Sequence, residues 1–187
     1  MQTIENSLLQ VSVDENGAQL VQLISEPDNI DYLKNGEEQG KATISFPEVG
    51  EENDLAKKLP WTVVDKGDAR VSLTLIDSAE SYKKFPYHFE VMATYAIEGP
   101  QLTVSFHVKN NPNKEMPFLL KFHLPIKASV SEESINKILL TNAKKDLLIQ
   151  STDLNLKVDS SGIISSTEKL ELIGKSDQIF KLNFTIQ

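Results

Sequence analysis

The 187 residues carry 19 Lys and Arg against 27 Asp and Glu, a net charge of -8, with 40% hydrophobic and 25% charged residues. So acidic a chain lacks the basic surface that nucleic acid or an anionic membrane needs, and neither is expected as a partner. The absence of cysteine excludes disulfides, thiolate catalysis and cysteine metal sites.

The length suits one sizeable core, residues 1–187 as a single domain. The start Met1-Gln2-Thr3-Ile4-Glu5-Asn6-Ser7 has no basic residue and no apolar run. No window approaches the roughly 18 apolar residues of a membrane span. A cytoplasmic protein is the expectation. The pairs Lys57-Lys58, Lys83-Lys84 and Lys144-Lys145 sit among acids and aromatics and read as solvated surface.

Period-two alternation broken by turn residues runs through most of the chain. Leu8 to Val13 and Ala18 to Ile24 read as strands joined at Asp14-Glu15-Asn16-Gly17, where Gly17 supplies a positive φ. Asp31-Tyr32-Leu33 follows the Glu26-Pro27 break. From Asn35 to Pro60 acids and glycines dominate, apart from the apolar piece Ala42 to Val49. Three apolar rows come next: Val71 to Leu75, Phe89 to Ile97 and Leu102 to Val108, with turns at Glu98-Gly99-Pro100 and Asn110-Asn111-Pro112-Asn113. With Met116 to Pro125 next in order, three to four consecutive strands predict an antiparallel meander. Ser131 to Ile138 has a helical look, with Ser131 as cap and Glu132 and Glu133 in the first turn. The rest predicts strands near Ile138–Leu140, Leu147–Gln150, Leu154–Val158, Lys169–Leu172 and Gln178–Ile186. The fold class is all-β, an antiparallel β-sandwich.

The segment Met116-Pro117-Phe118-Leu119-Leu120-Lys121-Phe122-His123-Leu124-Pro125 carries the clearest site signal. Phe118, Leu120, Phe122 and Leu124 share one face, which sets Leu119, Lys121 and His123 on the other. His123 is there available to a ligand, or is a half-buried histidine bonded to a neighbouring carbonyl. His107 reads as solvent-facing and His88 as a turn residue. Their spacing makes no metal site, and no cofactor is expected.

That segment, taken with several others in order, resembles the galactose mutarotase (aldose 1-epimerase) family. The others are Asn16-Gly17-Ala18-Gln19-Leu20, Asp31-Tyr32-Leu33 with Asn35-Gly36, Ser45-Phe46-Pro47-Glu48-Val49-Gly50, Tyr82 to Phe89, Tyr95 to Val108, and Lys169 to Ile186. The resemblance implies a mutarotase-like supersandwich, truncated, that interconverts anomers of a free monosaccharide such as an aldohexose. In the family a strand histidine protonates the ring oxygen and a late glutamate is the base, while an arginine and a second histidine hold the sugar.

His123 matches the acid position, with Lys121 and Phe122 in place of two glycines, which adds bulk where a pyranose would lie. Glu51, near Glu52 and Asp54, stands where the family has arginine, and Leu55 to Asp65 holds no histidine. Ser160-Ser161-Gly162 runs almost directly into the last strands, and neither Glu168 nor Glu171 lies in the base's context. Lys121 and Trp61 are candidate substrate-binding residues, Trp61 as a stacking platform or else a core plug. Asp65, Glu48 and Glu90 could also bond hydroxyls, with no spacing to choose among them. Phosphorylated sugars fit poorly, because the region that would need arginines is acidic.

Three functions compete. The first is a carbohydrate-binding relative with weak or lost mutarotase activity. The second is an active epimerase using His123 as general acid and an unidentified carboxylate base. The third is a structural β-sandwich whose uncovered edges pair chains, for instance as a homodimer.

Overall fold

The longest alternating rows make the centre of the fold in the computed structural model, which describes residues 1–49 and 54–187. Phe89–Glu98 and Gln101–Asn110 pair along their whole lengths, with Phe89 opposite Asn110 and Glu98 opposite Gln101. Ser176–Ile186 pairs with the second and Arg70–Ile76 with the first. Among the described residues the sheet has eight strands, closed on one side by Thr62–Lys66. On the other side it runs out through Leu147–Gln150, Lys137–Thr141 and Ser129–Ser134. Its inward residues Val71, Leu73, Val91, Tyr95, Val104, Phe106, Leu182 and Ile149 are fully buried.

A second layer covers that face. Gln2–Glu5, Leu9–Asp14, Gln19–Ser25 and Ile30–Asp31 form one sheet, and Asn155–Asp159, Gly162–Ser166, Lys121–Leu124 and Thr43–Ser45 form another. An isolated bridge between Leu20 and Ala42 links them. The ladders between described strands are antiparallel. The all-β antiparallel sandwich read from the alternation is thus the observed architecture. Gly17 has φ +80 at the predicted turn.

Side chains knit the layers. The Phe106 and Phe122 rings lie 5.5 Å apart and Phe118 and Phe180 6.1 Å apart. Tyr95 donates its hydroxyl to the Ala18 carbonyl at 2.6 Å, and burial pushes its ionisation up, so it stays a neutral donor. Tyr95→Phe leaves that buried carbonyl without this donor. The expected loss is about 1–3 kcal/mol of unfolding free energy, measured by urea denaturation; an unchanged midpoint would show that the bond contributes nothing.

The Met116–Pro125 segment differs from the single strand expected. Met116–Phe118 pairs with Leu170–Leu172, whereas Lys121–Leu124 pairs with Gly162–Ser166 on one side and Thr43–Ser45 on the other. The switch falls at Leu119 and Leu120, whose N–H groups donate to the Pro47 carbonyl and the Thr167 hydroxyl. Apolar alternation reports which face is buried and is silent about which neighbour supplies the hydrogen bonds, so it runs through the break unchanged.

Ser131 to Ile138 is no helix. Ser129–Ser134 and Lys137–Thr141 form a hairpin. The segment has no apolar stripe at helical spacing to bury, whereas Ile138 and Leu140 fill the core from the strand. Both edges of the large sheet are blunted. Register shifts interrupt Val63/Asp65 and Val130/Glu132, and charged residues flank each. None of the described helices is long and apolar enough to cross a membrane.

Candidate functional site

His123 stands on the outer face of the four-stranded sheet. Registers across that sheet set it beside Thr43 and Ile164, and set Lys121 beside Ser45 and Ser166. Asn155 continues the Lys121 row and Lys157 the His123 row, with Asp159 next along the edge strand, opposite Gly162. The opposite face of the same strands, with Ile44, Phe122, Leu124, Ile163 and Leu156, is buried. Alternation therefore yields one polar face rich in hydroxyl, ammonium and imidazole groups, with Lys121 and His123 about 7 Å apart along one strand.

Two polar clusters organise the face. At one end, His123 Nε2 lies 3.0 Å from Ser161 Oγ and 3.2 Å from the Ser161 carbonyl oxygen. Ser161 sits in the two-residue turn between Asp159 and Gly162, and its N–H and hydroxyl both donate to Asp159 Oδ1, at 2.8 Å and 2.6 Å. Those bonds, aided by the nearby His123 and Lys157 charges, hold the Asp159 carboxyl below its usual range.

At the other end, Lys121 Nζ donates to Glu48 Oε1 at 2.8 Å, with both side chains about one-third exposed. Glu48 has φ +47, a left-handed conformation that costs a residue with a Cβ roughly 1 kcal/mol. Its Oε2 is buried and without a hydrogen-bond partner among the described residues. The backbone beneath is clamped: the Pro47 carbonyl accepts from Leu119, and the Phe46 carbonyl from Leu55 and Ala56. Of the three acids offered from the sequence as hydroxyl binders, Glu48 is the one bonded to the His123 strand.

The other expected residues lie elsewhere. Trp61 is 7% exposed, belongs to the core and donates its indole N–H to the Ala56 carbonyl at 2.9 Å; this is the core-plug placement. His107 is on the outer face of the large sheet, paired with Asp177. His88 bonds Asp77 and stacks on Tyr82. Glu171 lies opposite Pro117, and Glu168 follows Thr167, which is bonded to Leu120; both are displaced along the chain from His123. The contrast drawn at Glu51 and Glu52 falls outside the described residues.

His123 is half-buried and bonded at Ser161. Phe122 adds no bulk at this face: it is fully buried, and only Lys121 projects there. Ser161 and Asp159 were not selected by sequence reasoning. Asp159-Ser160-Ser161-Gly162 is a readable turn, in which an Asp caps the N–H two residues on, but nothing in the string ties it to His123. A cavity of about 440 Å³ lies away from this face, lined by Lys137, Gln150, Asp153, Lys181 and Asn183 among others.

Comparison with known proteins agrees with this architecture. Solved structures with the same fold include a galactose mutarotase-like protein from Lactobacillus casei ATCC 334. It is 19% identical, with a TM-score of 0.79 and all of both chains covered. A galactose mutarotase related enzyme from Lactobacillus acidophilus is 14% identical, with a TM-score of 0.75 over 99% of this chain and 96% of that one. A putative aldose 1-epimerase from Escherichia coli K12 is 10% identical, with a TM-score of 0.73 over 100% and 98%. No curated protein matches the chain significantly. The sequence profile named Aldose 1-epimerase matches residues 50–161, more than half of the length and including the His123 strand and the Asp159–Ser161 turn; the chain belongs to the aldose 1-epimerase family.

Proposed function

We propose that the protein binds a free monosaccharide such as an aldohexose on the His123–Lys121 face, and that its mutarotase activity is weak or lost. The observation behind this reading is the pairing on that face. His123 Nε2 is already bonded at Ser161, and the carboxylate brought to its strand, Glu48, is already bonded to Lys121. Opening a sugar ring needs a proton delivered to the ring oxygen and another taken from the C1 hydroxyl. A carboxylate held in an ion pair is a weakened base, and each missing group is worth on the order of 10²–10⁴ in rate. Imidazole, ammonium, carboxylate and serine hydroxyls on one open face still suit the donors and acceptors of a sugar.

Polarimetry of freshly dissolved α-galactose and α-glucose, paired with an NMR titration of the same sugars, tests this. The expected result is saturable binding, with anomeric equilibration little faster than in buffer. Absence of binding would remove the carbohydrate reading. A second reading, an active epimerase with His123 as general acid, is favoured by Glu48 Oε2, which has no partner among the described residues and is an acceptor held in place by a strained backbone. On that reading wild type accelerates equilibration at least a hundredfold, and His123→Ala and Glu48→Gln each abolish the acceleration.

A further inference from the structure

The bonds around Ser161 determine where the proton of His123 resides. The Ser161 hydroxyl has one hydrogen, and at 2.6 Å it is given to Asp159 Oδ1, an ionised oxygen that can only accept. Ser161 Oγ therefore turns a lone pair toward His123 Nε2, 3.0 Å away. The Ser161 carbonyl, 3.2 Å from the same nitrogen, is also an acceptor and nothing else. Two acceptors facing one ring nitrogen require an N–H there. A neutral imidazole has a single N–H, so its lone pair is left on Nδ1, which has no partner among the described residues.

We propose that Asp159, acting through Ser161, is a positioning residue that keeps the proton of neutral His123 on Nε2 and presents Nδ1 to the ligand. The positioning stands on the hydrogen bonds alone; only the nature of the ligand, a sugar hydroxyl, rests on the carbohydrate reading. The neutral ring then accepts a hydroxyl hydrogen bond at Nδ1, and the charged ring donates one from the same atom. Nε2 serves to orient the ring.

Nitrogen-15 NMR at a pH about two units above the ordinary histidine value of about 6.5 reads the tautomer directly, with the His123 signals identified by their loss in His123→Asn. Wild type is expected to carry the proton on Nε2. In Asp159→Ala the freed Ser161 hydroxyl can donate to Nε2, and the Nδ1-protonated form grows; Asp159→Asn, which restores an acceptor for that hydroxyl, reverses the change. A wild-type proton on Nδ1, or a tautomer balance indifferent to Asp159→Ala, overturns the proposal. Galactose titration supplies the second arm. An asparagine amide reaches the place of Nδ1 and a glutamine amide the place of Nε2. His123→Asn should hold affinity within about threefold while His123→Gln loses about tenfold, one hydrogen bond's worth; the opposite order overturns the role of Nδ1. If wild type binds neither galactose nor glucose, the carbohydrate reading fails, and the tautomer measurement still decides the positioning.

Discussion

Gly162→Ala is expected to destabilise the protein by about 3 kcal/mol or more and to abolish the sugar binding proposed for the His123 face. Gly162 follows Ser161 and opens the strand paired with Lys121–Leu124. Its φ is +131, a conformation that side chains do not adopt. A Cβ there would lie 2.1 Å from the Leu124 carbonyl oxygen and 3.0 Å from Pro125 Cα. Those atoms are backbone, so no rotamer change relieves the clash. The turn must move off the strand, and Ser161 leaves His123 with it. With a urea slope of about 2 kcal/mol per molar, the unfolding midpoint should fall by about 1.5 M. A midpoint within about 0.3 M of wild type would show that the turn has room that this geometry denies.

Phe122→Ala should cost about 3–5 kcal/mol, whereas Phe122→Leu should cost substantially less and keep the proposed sugar binding near wild type. Phe122 is fully buried between Lys121 and His123, and its ring packs on Phe106 across the two layers. The ring anchors the strand to the core, which is what holds its neighbours outward. Truncation removes the transfer free energy of an aromatic side chain and leaves a cavity that a β-sheet closes only in part. Urea denaturation of both variants measures the difference. A loss under about 1 kcal/mol for Phe122→Ala would mean that the strand is held by its two ladders and not by packing.

These predictions concern residues that the sequence exposed to different degrees. Phe122 was legible, because alternation through Phe118, Leu120, Phe122 and Leu124 assigns faces, and those four are fully buried. His123 and Lys121 followed from the same count, on the opposite face. Gly162 was not, since its lack of room for a Cβ comes from the approach of Leu124, a residue 38 positions earlier. The Ser131–Ile138 segment shows the converse error. Local capping signals pointed to a helix, and a hairpin with core contacts from Ile138 and Leu140 outweighed them.

Glu48 marks the limit most clearly. The sequence named it beside Asp65 and Glu90 without reason to choose. Asp65 pairs with Arg70 on an edge strand, and Glu90 lies within the large sheet opposite Ile76 and Lys109. The return of the Phe46–Glu48 segment against Leu119 brings a carboxylate to Lys121. Trp61 was readable as a stacking platform or a core plug, and it is buried with its indole N–H bonded to the Ala56 carbonyl.

By itself, then, the sequence determined the strand-rich class, the meander at the centre, the face on which His123 stands and the family resemblance. The first three follow from period-two burial, a local property of the chain, and the resemblance rests on the ordered motifs in the string. The tertiary structure alone decided which strands exchange hydrogen bonds, that the Met116–Pro125 segment divides between two sheets, and that Ser161, Asp159 and Glu48 converge on the His123 strand. The Ser161–His123 and Glu48–Lys121 contacts join residues 38 and 73 positions apart. No local pattern encodes them, because a hydrogen-bonding edge accepts any strand whose register and buried face are compatible.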